Sequence, residues 1–506
     1  MSPKSLLIFL LCLLAATLVA AEVPSASARK ASDHARQNYS QAVEDTLAEL
    51  VTFKTFKTPD QANTDNPEFH AMTEFLAARA KALGLEFQDL GAAVVIALGE
   101  GQGPADRIGI VTHGDIQPAD PSKWAKSPFV LDRESEPGRL IARGAEDDKG
   151  PIATALYSLK TLKDLEIPLA KRVELVIAYT EESDWTPFQK LLETWQPPAI
   201  NVVIDSAYPV VVAEKGWSSV HLTAAPPEVA VAVSGPRLLS IEGGAFLSQI
   251  PADARAVIAD PAPALVGVLG DRARTRKEVE FQLKGSAGKL EIIARGKAAH
   301  SSTPENGVNA ITHLAALLGG IPWPETQAAR TVRLINDLVG LGNEAENFGD
   351  VAYGDEFMGP LTLSLTTLEQ RDDQTTLGIN IRRPVGRSNE EVDRSVRQAV
   401  AAWSEESSIP VAIETSIGEP YFPEGAPQVD TLLAIFESYT GQQDPKPLSI
   451  GGGTHARLLP NGVNFGPAMP GKAYTGHTEH EFITRDQLRL NLEMYTAMMV
   501  ELAAKK

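Results

Sequence analysis

Side chains able to hold a metal ion follow three apolar runs of this 506-residue sequence. The runs, which predict buried strands, are Ile108–Thr112, Val173–Thr180 and Val202–Ile204. The metal-capable residues that come after them are His113 and Asp115, Glu181 and Glu182, and Asp205. Because ligands bind at the carboxyl ends of strands in an open parallel sheet, we expect these side chains to share one edge of such a sheet.

Two further segments supply candidate ligands. Asp147 and Asp148 lie just before a predicted helix, and His477 lies near the C-terminus, where His480 is a competing imidazole. The only cysteine, Cys12, lies in an N-terminal segment that we expect to be removed. The metal must then be held by imidazoles and carboxylates, a donor set that suits zinc or a similar cation.

The adjacent carboxylates of Glu181 and Glu182 permit a division of labour. One can bind a metal ion while its neighbour accepts a proton from water. Two ions about 3.5–4 Å apart would share a bridging ligand and polarise a scissile carbonyl. The pattern therefore predicts hydrolysis assisted by two metal ions.

Each segment alone also has an ordinary structural interpretation. His113 and Asp115 are compatible with a surface pair, Glu181 and Glu182 with the start of a solvated loop, and Asp147 with a helix cap. The combination favours a metal site, because every segment adjoins the end of a predicted strand or the start of a predicted helix.

The order of these residues resembles the di-zinc aminoacylase, carboxypeptidase G and dipeptidase V family over about residues 38–505. The segments that carry the resemblance are His113-x-Asp115, Gly144-x-x-Asp147-Asp148-Lys149-Gly150, Glu181-Glu182, Asp205 and His477. The resemblance implies two zinc ions, for which Co²⁺ or Mn²⁺ are possible substitutes. The implied ligand sets are His113, Asp147 and Asp205 for one ion, and Asp147, Glu182 and His477 for the other.

The same resemblance implies roles for neighbouring residues. Asp115 would orient the ring of His113. Glu181 would be the general base and would later protonate the leaving amine. The peptide between Asp147 and Asp148 would be cis.

A predicted insertion carries further matches to this family. The segment Gly296–Ser302 resembles a lid motif whose histidine, here His300, contacts the substrate carbonyl oxygen in the transition state. The segment Gly378–Pro384 resembles a strand that presents an arginine, here Arg382, to the substrate carboxylate. The guanidinium fork suits that task because it binds a carboxylate with two hydrogen bonds.

A glycine-rich turn near the C-terminus resembles one that faces the C-terminal end of the substrate in this family. Its expected substrate contacts are Gly452, Gly453 and Thr454. His455, which follows, is open to interpretation as a pocket residue. The sequence departs from the family at Ser248, which stands where an asparagine often contacts the substrate, so side-chain preference does not transfer.

Alternating strands and helices predict an α/β fold with an open, mainly parallel sheet and helices on both faces. The predicted helices are Tyr39–Phe53, Pro67–Leu83, Pro151–Asp164, Asn389–Ser404, Gln428–Tyr439 and Arg485–Ala504. After Gly216 the pattern changes to that of an α+β lid domain. Its predicted elements are strand Lys289–Ala294, helix Gly307–Leu318, and hairpin arms Leu361–Leu368 and Thr376–Arg382 around a turn at 371–374. We therefore predict a discontinuous catalytic domain (22–215 and 385–506) and an inserted lid (216–384).

The N-terminus predicts export. Lys4, the apolar run Leu6–Ala16 and the small residues before Glu22 are typical of a secretory signal cleaved near Ala21, which predicts a periplasmic or extracellular protein. An uncleaved membrane anchor is the alternative, for which the apolar run is short. Residues 22–35 are rich in Ser and Ala and predict a flexible lead-in.

The mature chain is strongly acidic. Removing Lys4 from 46 basic residues leaves 45 against 65 acidic ones, a net charge of 45 − 65 = −20. Such a surface disfavours nucleic acid and stable association with an anionic membrane.

Three phrases place the resemblance closest to the dipeptidase V branch. They are Asp205–Pro209, Glu214–Gly216 and Gly453–Arg457. The expected function is a metal-dependent dipeptidase that cuts the peptide bond of small peptides. One alternative is an aminoacylase-like amidohydrolase that acts on N-acyl amino acids. The other is a binding protein that retains the metal but has lost turnover. Such a protein should lack a ligand or the base, and this sequence lacks none of them.

A long interval separates the last metal carboxylate from the lid histidine. It spans 300 − 205 = 95 residues, from Asp205 to His300. In dimeric members of the family the interval is shorter and this histidine reaches the partner subunit. The resemblance to dipeptidase V implies that the extra segment forms a second lid half, so that the enzyme is a monomer that closes over its own site. The alternative is a dimer in which the extra residues have no role in completing the site.

Overall fold

A computed structural model of the chain describes residues 23–505 apart from 59–60, 62–64, 228–234, 372–373 and 424. The predicted signal peptide lies outside the described residues, as does the centre of the predicted turn at 371–374. No helix of the described part is long and apolar enough to cross a membrane.

The α-helices of the described residues account for every helix that the sequence predicts. They are α1 Ala26–Leu50, α2 Pro67–Leu83, α3 Lys149–Asp164, α4 Thr186–Leu192, α5 Pro263–Thr275, α6 Ala310–Leu318, α7 Gln327–Leu334, α8 Asn389–Ser407, α9 Val429–Thr440 and α10 Arg485–Ala503.

The flexible lead-in predicted for residues 22–35 is wrong from Ala26 onward, where α1 already begins. The Ser25 side chain accepts a hydrogen bond from the Ala28 amide and so caps the helix. Ala28, Ala31 and Ala35 recur at helical spacing and are fully buried in the first core. Small side chains can therefore mark a close helix contact rather than a flexible segment.

The strands within the described residues form two large sheets and several short ribbons. They are β1 Glu86–Asp89, β2 Ala93–Leu98, β3 Arg107–His113, β4 Arg139–Ile141, β5 Arg172–Ala178, β6 Ile200–Val203, β7 Ser206–Ala207, β8 Val211–Glu214, β9 Gly216–Ala224, β10 Arg237–Gly243, β11 Gln249–Ile250, β12 Asp253–Ala259, β13 Glu280–Ser286, β14 Lys289–Arg295, β15 Ala299–His300, β16 Gly354–Asp355, β17 Gly359–Pro360, β18 Thr362–Arg371, β19 Gln374–Arg383, β20 Val411–Ile417, β21 Leu448–Ile450, β22 Gly462–Asn464, β23 Pro467–Ala468 and β24 Phe482–Thr484.

The first sheet has the order β1-β2-β5-β3-β6-β22-β8-β21. Strands β5, β3, β6 and β22 at its centre run parallel, and antiparallel pairs flank them. Alternate residues of its strands pack into two cores on opposite faces: Val94 and Ile110, for example, lie in one core, and Val95 and Val111 in the other. Helices α1, α2, α3, α9 and α10 contribute to the first core, and Phe188 of α4 contributes to the second. The predicted α/β class, with helices on both faces, is confirmed.

The second sheet has the order β13-β14-β12-β10-β18-β19-β9-β20 and is antiparallel throughout. Its core also contains residues of α5, α6 and α7. This α+β layer corresponds to the predicted lid. The predicted hairpin is present as β18 and β19, which pair in register from Thr362–Arg382 to Arg371–Gln374.

The packing does not follow the predicted boundary at residue 384. Val392, Val396 and Val400 of α8 are buried in the second core, and β20 pairs with β9 along its whole length. The second layer therefore extends to Ile417. The amphipathic pattern of α8 could not reveal which of the two sheets its apolar face covers.

Candidate metal centre

The central parallel strands bring the predicted ligands to one edge of the first sheet. Strand β3 lies between β5 and β6 and ends at His113. Glu181 and Glu182 follow the end of β5, and Asp205 follows the end of β6. The alignment of parallel strands places these carboxyl ends side by side, as the sequence predicts.

Two groups of ligand-capable side chains lie at this edge within the described part of the chain. The members are His113, Asp148 and Asp205 in one group, and Asp147, Glu182 and His477 in the other. The ligand atoms of each group lie within 4.8 Å of one another. The second group is the set that the family resemblance implies for one ion, whereas the first contains Asp148 where the resemblance implies Asp147.

Asp147 nevertheless contacts both imidazoles. Its Oδ1 lies 2.9 Å from His113 Nε2, and its Oδ2 lies 3.0 Å from His477 Nε2. His113 Nε2 also lies 3.4 Å from Asp205 Oδ1, and His477 Nε2 lies 2.9 Å from Glu182 Oε2. A carboxylate whose two oxygens face opposite imidazoles has the geometry of a bridging ligand. The Asp147–Asp148 peptide is cis, as the resemblance implies.

Asp115 contacts His113 and the backbone of the two glutamates at this edge. The Nδ1 of His113 lies 3.0 Å from the Asp115 carbonyl oxygen and 3.2 Å from its carboxylate. A proton on Nδ1 leaves the Nε2 lone pair free toward Asp147. The Asp115 carboxylate also accepts hydrogen bonds from the amides of Glu181 and Glu182, at 2.9 and 3.1 Å. One buried aspartate thus positions a predicted histidine ligand and the predicted base.

The concentration of acidic groups perturbs their protonation. Burial, reinforced by Asp147 and Glu182, raises the pKa of Asp205 to about 6. Burial and the charge of Asp205 raise the pKa of Glu181 well above its usual value. Although burial opposes it, hydrogen bonding to the two imidazoles holds the pKa of Asp147 well below its ordinary range.

These residues fit a pair of divalent cations. Glu182 Oε1 and Asp148 Oδ1 are buried, and no donor among the described residues reaches either oxygen. Buried carboxylate oxygens without a donor are costly unless a cation compensates them. The donor set of imidazole nitrogen and carboxylate oxygen is one that zinc accepts.

Lid residues of the same chain lie over this edge. The rings of His300 and His477 are 6.1 Å apart, centroid to centroid. The Nδ1 of His300 lies 2.6 Å from the Ser302 hydroxyl. Burial and the nearby Arg382 lower the pKa of His300 to about 3, so the imidazole is neutral at physiological pH. Ser248 lies beside this motif, since its carbonyl oxygen accepts a hydrogen bond from the Ser301 amide.

Arg382 links the two layers. Its Nη1 donates to the Gly451 carbonyl oxygen at 3.1 Å, and its Nη2 donates to the Ser301 hydroxyl at 3.2 Å. The Asn380 side chain accepts from its Nε at 2.9 Å. The predicted carboxylate-binding arginine is thus held in one orientation beside the glycine-rich turn.

Thr454 of the glycine-rich turn was expected to contact the substrate, but in the structure it contacts Glu214. Its amide and hydroxyl both donate to Glu214 Oε1, at 3.1 and 2.6 Å. Thr454 therefore anchors the turn to a buried carboxylate, and Gly452 and Gly453 remain the candidates to face a substrate. His455 is fully buried and stacks on Phe188 at 4.6 Å. Its ring therefore packs against α4.

Several residues of the site were not predicted as functional. The Tyr474 hydroxyl donates to Asp147 Oδ2, and Thr112 donates to Asp148. The Gln117 side chain donates to Glu182 Oε2 at 3.0 Å. Gln117 lies two residues after Asp115, and Tyr474 lies three residues before His477. This proximity to the motifs was the signal in the sequence that could have identified them.

The family model described as peptidase family M20/M25/M40 matches residues 109–501. The chain belongs to this family. It is therefore a metallopeptidase, and the ligand groups described above lie within the matched region.

Relatives of this M20 peptidase include proteins of two bacteria, and a human dipeptidase has a similar fold. It is 33% identical to "Putative dipeptidase YtjP" of Bacillus subtilis over 80% of this chain and 84% of that protein. It is 27% identical to the Beta-Ala-Xaa dipeptidase of Lactobacillus delbrueckii subsp. lactis over 90% of this chain and 95% of that protein. Human carnosine dipeptidase 1 shares the fold, with a TM-score of 0.57, 16% identity, and coverage of 95% of this chain and 99% of that one.

Removing either histidine should reduce metal binding by the peptidase. His113→Ala and His477→Ala each delete one imidazole on either side of Asp147, so we expect each variant to lose metal affinity at a different position. Metal content after dialysis, measured by atomic emission, checks this. The matched control is His480→Ala, because His480 is half-exposed and pairs with Glu136 at 2.9 Å instead. Equal metal loss in His480→Ala would contradict the assignment.

Proposed function

We propose that this M20 peptidase is a two-zinc dipeptidase that hydrolyses small, unblocked peptides, with Co²⁺ or Mn²⁺ as possible substitutes for zinc. The observation that carries the proposal is the position of Asp147, whose two carboxylate oxygens contact His113 and His477. The proposed ligands are His113, Asp147 and Asp205 for one ion and Asp147, Glu182 and His477 for the other. Asp148 lies close enough to His113 to join the first set.

When bound, the two ions would lower the pKa of a water molecule and polarise the scissile carbonyl. Glu181 is the proposed base, because its backbone is held by Asp115 while its neighbour Glu182 faces His477. A carboxyl group with a raised pKa can take up the proton of water and return it to the leaving amine. His300, held neutral, can donate a hydrogen bond to the oxygen on which charge develops.

The proposed substrate is small and carries a free carboxylate. Arg382 and the glycine-rich turn meet at the Gly451 carbonyl, beside the lid histidine. The bacterial relatives are named as dipeptidases, which favours free dipeptides over the N-acyl amino acids of the aminoacylase-like alternative. A panel that contains both substrate classes separates the two activities.

We also propose that the enzyme works as a monomer and closes over its own site. In support, His300 and His477 of one chain lie 6.1 Å apart, so a single chain can complete the site. Because the second layer extends to Ile417, the proposed hinges of this closure are Gly216 and Gly418. These glycines lie face to face, since a Cβ on Gly216 would stand 2.2 Å from the Gly418 carbonyl oxygen.

Export to the periplasm or the extracellular space, after cleavage near Ala21, remains part of the proposal. It is supported by the N-terminal sequence pattern. Small peptides would then be cleaved outside the cytoplasm, by a chain whose acidic surface disfavours nucleic acid as a partner.

Replacement of the base should abolish turnover without loss of metal. Glu181→Gln keeps the size of the side chain but cannot take up a proton, so we expect kcat to fall by about 10²–10⁴-fold. Steady-state kinetics together with metal analysis check this. Glu193→Gln, an exposed change at the end of α4, is the control. Near-normal turnover in Glu181→Gln would refute the mechanism.

The substrate carboxylate should depend on the arginine fork. Arg382→Lys keeps the charge but loses the paired N–H groups, so we expect KM for a dipeptide to rise by about 10- to 100-fold. A dipeptide amide should already be a poor substrate of the wild-type enzyme. If the amide and the free acid were cleaved equally fast, the exopeptidase assignment would be wrong.

A mixing experiment tests whether each chain closes its own site. His300→Ala and Glu181→Gln chains should each be inactive, and their mixture should stay inactive if His300 serves its own chain. Activity is measured after the two variants are unfolded and refolded together, with size-exclusion chromatography to report the oligomeric state. Activity recovered on mixing would show that His300 acts on a neighbouring chain and would overturn the monomer proposal.

A further inference from the structure

A buried carboxylate outside the ligand set, Glu481, contacts the backbone of the bridging ligand. Its Oε1 accepts hydrogen bonds from the amides of Glu146 and Asp147, at 3.0 and 3.1 Å. Its Oε2 accepts from Arg143 Nη1 at 2.7 Å. The side chain of Glu481 is 0% exposed and that of Arg143 is 4% exposed. The buried Glu481–Arg143 ion pair therefore holds the loop that carries Asp147 through hydrogen bonds to its backbone amides.

The loop that carries His477 is tied to the same place. Thr475 donates from its amide to Glu146 Oε2 at 2.7 Å, and its hydroxyl lies 2.6 Å from the same oxygen. Glu481 itself lies four residues after His477 and leads into β24. Strand β24 pairs antiparallel with β4, the strand that leads to the Asp147 loop. The two loops are thus extensions of one short ribbon, joined by two carboxylate clamps.

The energetics indicate that this pair does more than stabilise the fold. Burying an ion pair costs desolvation energy that the attraction between the charges repays only in part, and apolar residues of similar volume often give equal stability. Hydrogen bonds from backbone amides to a carboxylate are, in contrast, strong and directional. A charged group at this position therefore has its clearest use in fixing the orientation of the peptide groups that it contacts.

We propose that Glu481 is a positioning residue that clamps the Asp147 loop to the His477 loop and so sets the separation of the two halves of the metal centre. The inference rests on the proposed two-metal function. The bridging contacts of 2.9 and 3.0 Å need Asp147 and His477 in register, although 477 − 147 = 330 residues separate them in the chain. Glu481 supplies that register through its hydrogen bonds to the Glu146 and Asp147 amides.

The test is the zinc affinity of Glu481→Gln, measured by competition with a chromophoric chelator. Glutamine cannot accept from both Arg143 and the two amides, because one of its oxygens becomes an NH₂ donor. We expect at least one zinc Kd to rise by about 10- to 100-fold, the range typical of partners behind metal ligands. We expect kcat to fall with a smaller change in KM.

The matched control is Glu479→Gln, the same substitution two residues away. Glu479 is 58% exposed and pairs on the surface with Lys123 at 2.6 Å, so its loss should leave zinc affinity unchanged. A folded Glu481→Gln protein that binds zinc with the wild-type Kd would overturn the inference. A wild-type protein that binds no zinc would instead overturn the proposed function, so the two failures are distinguishable.

A second variant keeps the test decisive if Glu481→Gln does not fold. Thr475→Val preserves the shape of the side chain and removes the hydroxyl, which contacts Glu146 Oε2 and also the backbone of Phe482 at 3.0 Å. We expect the zinc Kd to rise in the same direction by a smaller factor, together with a lower melting temperature because the Phe482 amide loses its acceptor. A Thr475→Val protein with wild-type zinc affinity would overturn the clamp, because a purely structural contact would lower stability alone.

Discussion

The Asp147 carboxylate lies between two imidazoles, and this contact imposes a strict requirement on the fold. His113 ends a central strand of the first sheet, and His477 comes from a loop near the C-terminus. One side chain can face both only if distant parts of the chain are held together at one sheet edge. The parallel strands, the helices that cover both faces of the sheet and the β4–β24 ribbon together meet that requirement.

The accumulation of negative charge at this edge accounts for the surrounding chemistry. Burial raises the pKa of Asp205 and of Glu181, and buried carboxylate oxygens of Glu182 and Asp148 lack a donor among the described residues. Divalent cations would satisfy these oxygens and lower the cost of keeping them ionised. The same divalent cations would therefore serve the proposed hydrolysis and compensate the charge of the buried carboxylates.

The second sheet completes the site from the other side. His300 at the end of β15 and Arg382 on β19 approach the edge of the first sheet, and Arg382 reaches Gly451 across the boundary between the layers. The glycine-rich turn is in turn anchored by Glu214, at the end of β8. Side chains of both layers therefore meet at this edge of the first sheet.

The sequence alone determined the local features: strands read from apolar runs, ligands read from the residues that follow them, and the motif order that indicates the family. These depend on neighbours in the chain, where periodicity and residue type act directly. The three-dimensional structure was needed to show that α8 packs on the second sheet and that Thr454 anchors its turn. It also showed that Asp148 groups with His113, and that Gln117, Tyr474 and Glu481 contact the candidate ligands or their loops. Such contacts join residues far apart in sequence, and the type of a residue does not reveal which distant residue it will contact after folding.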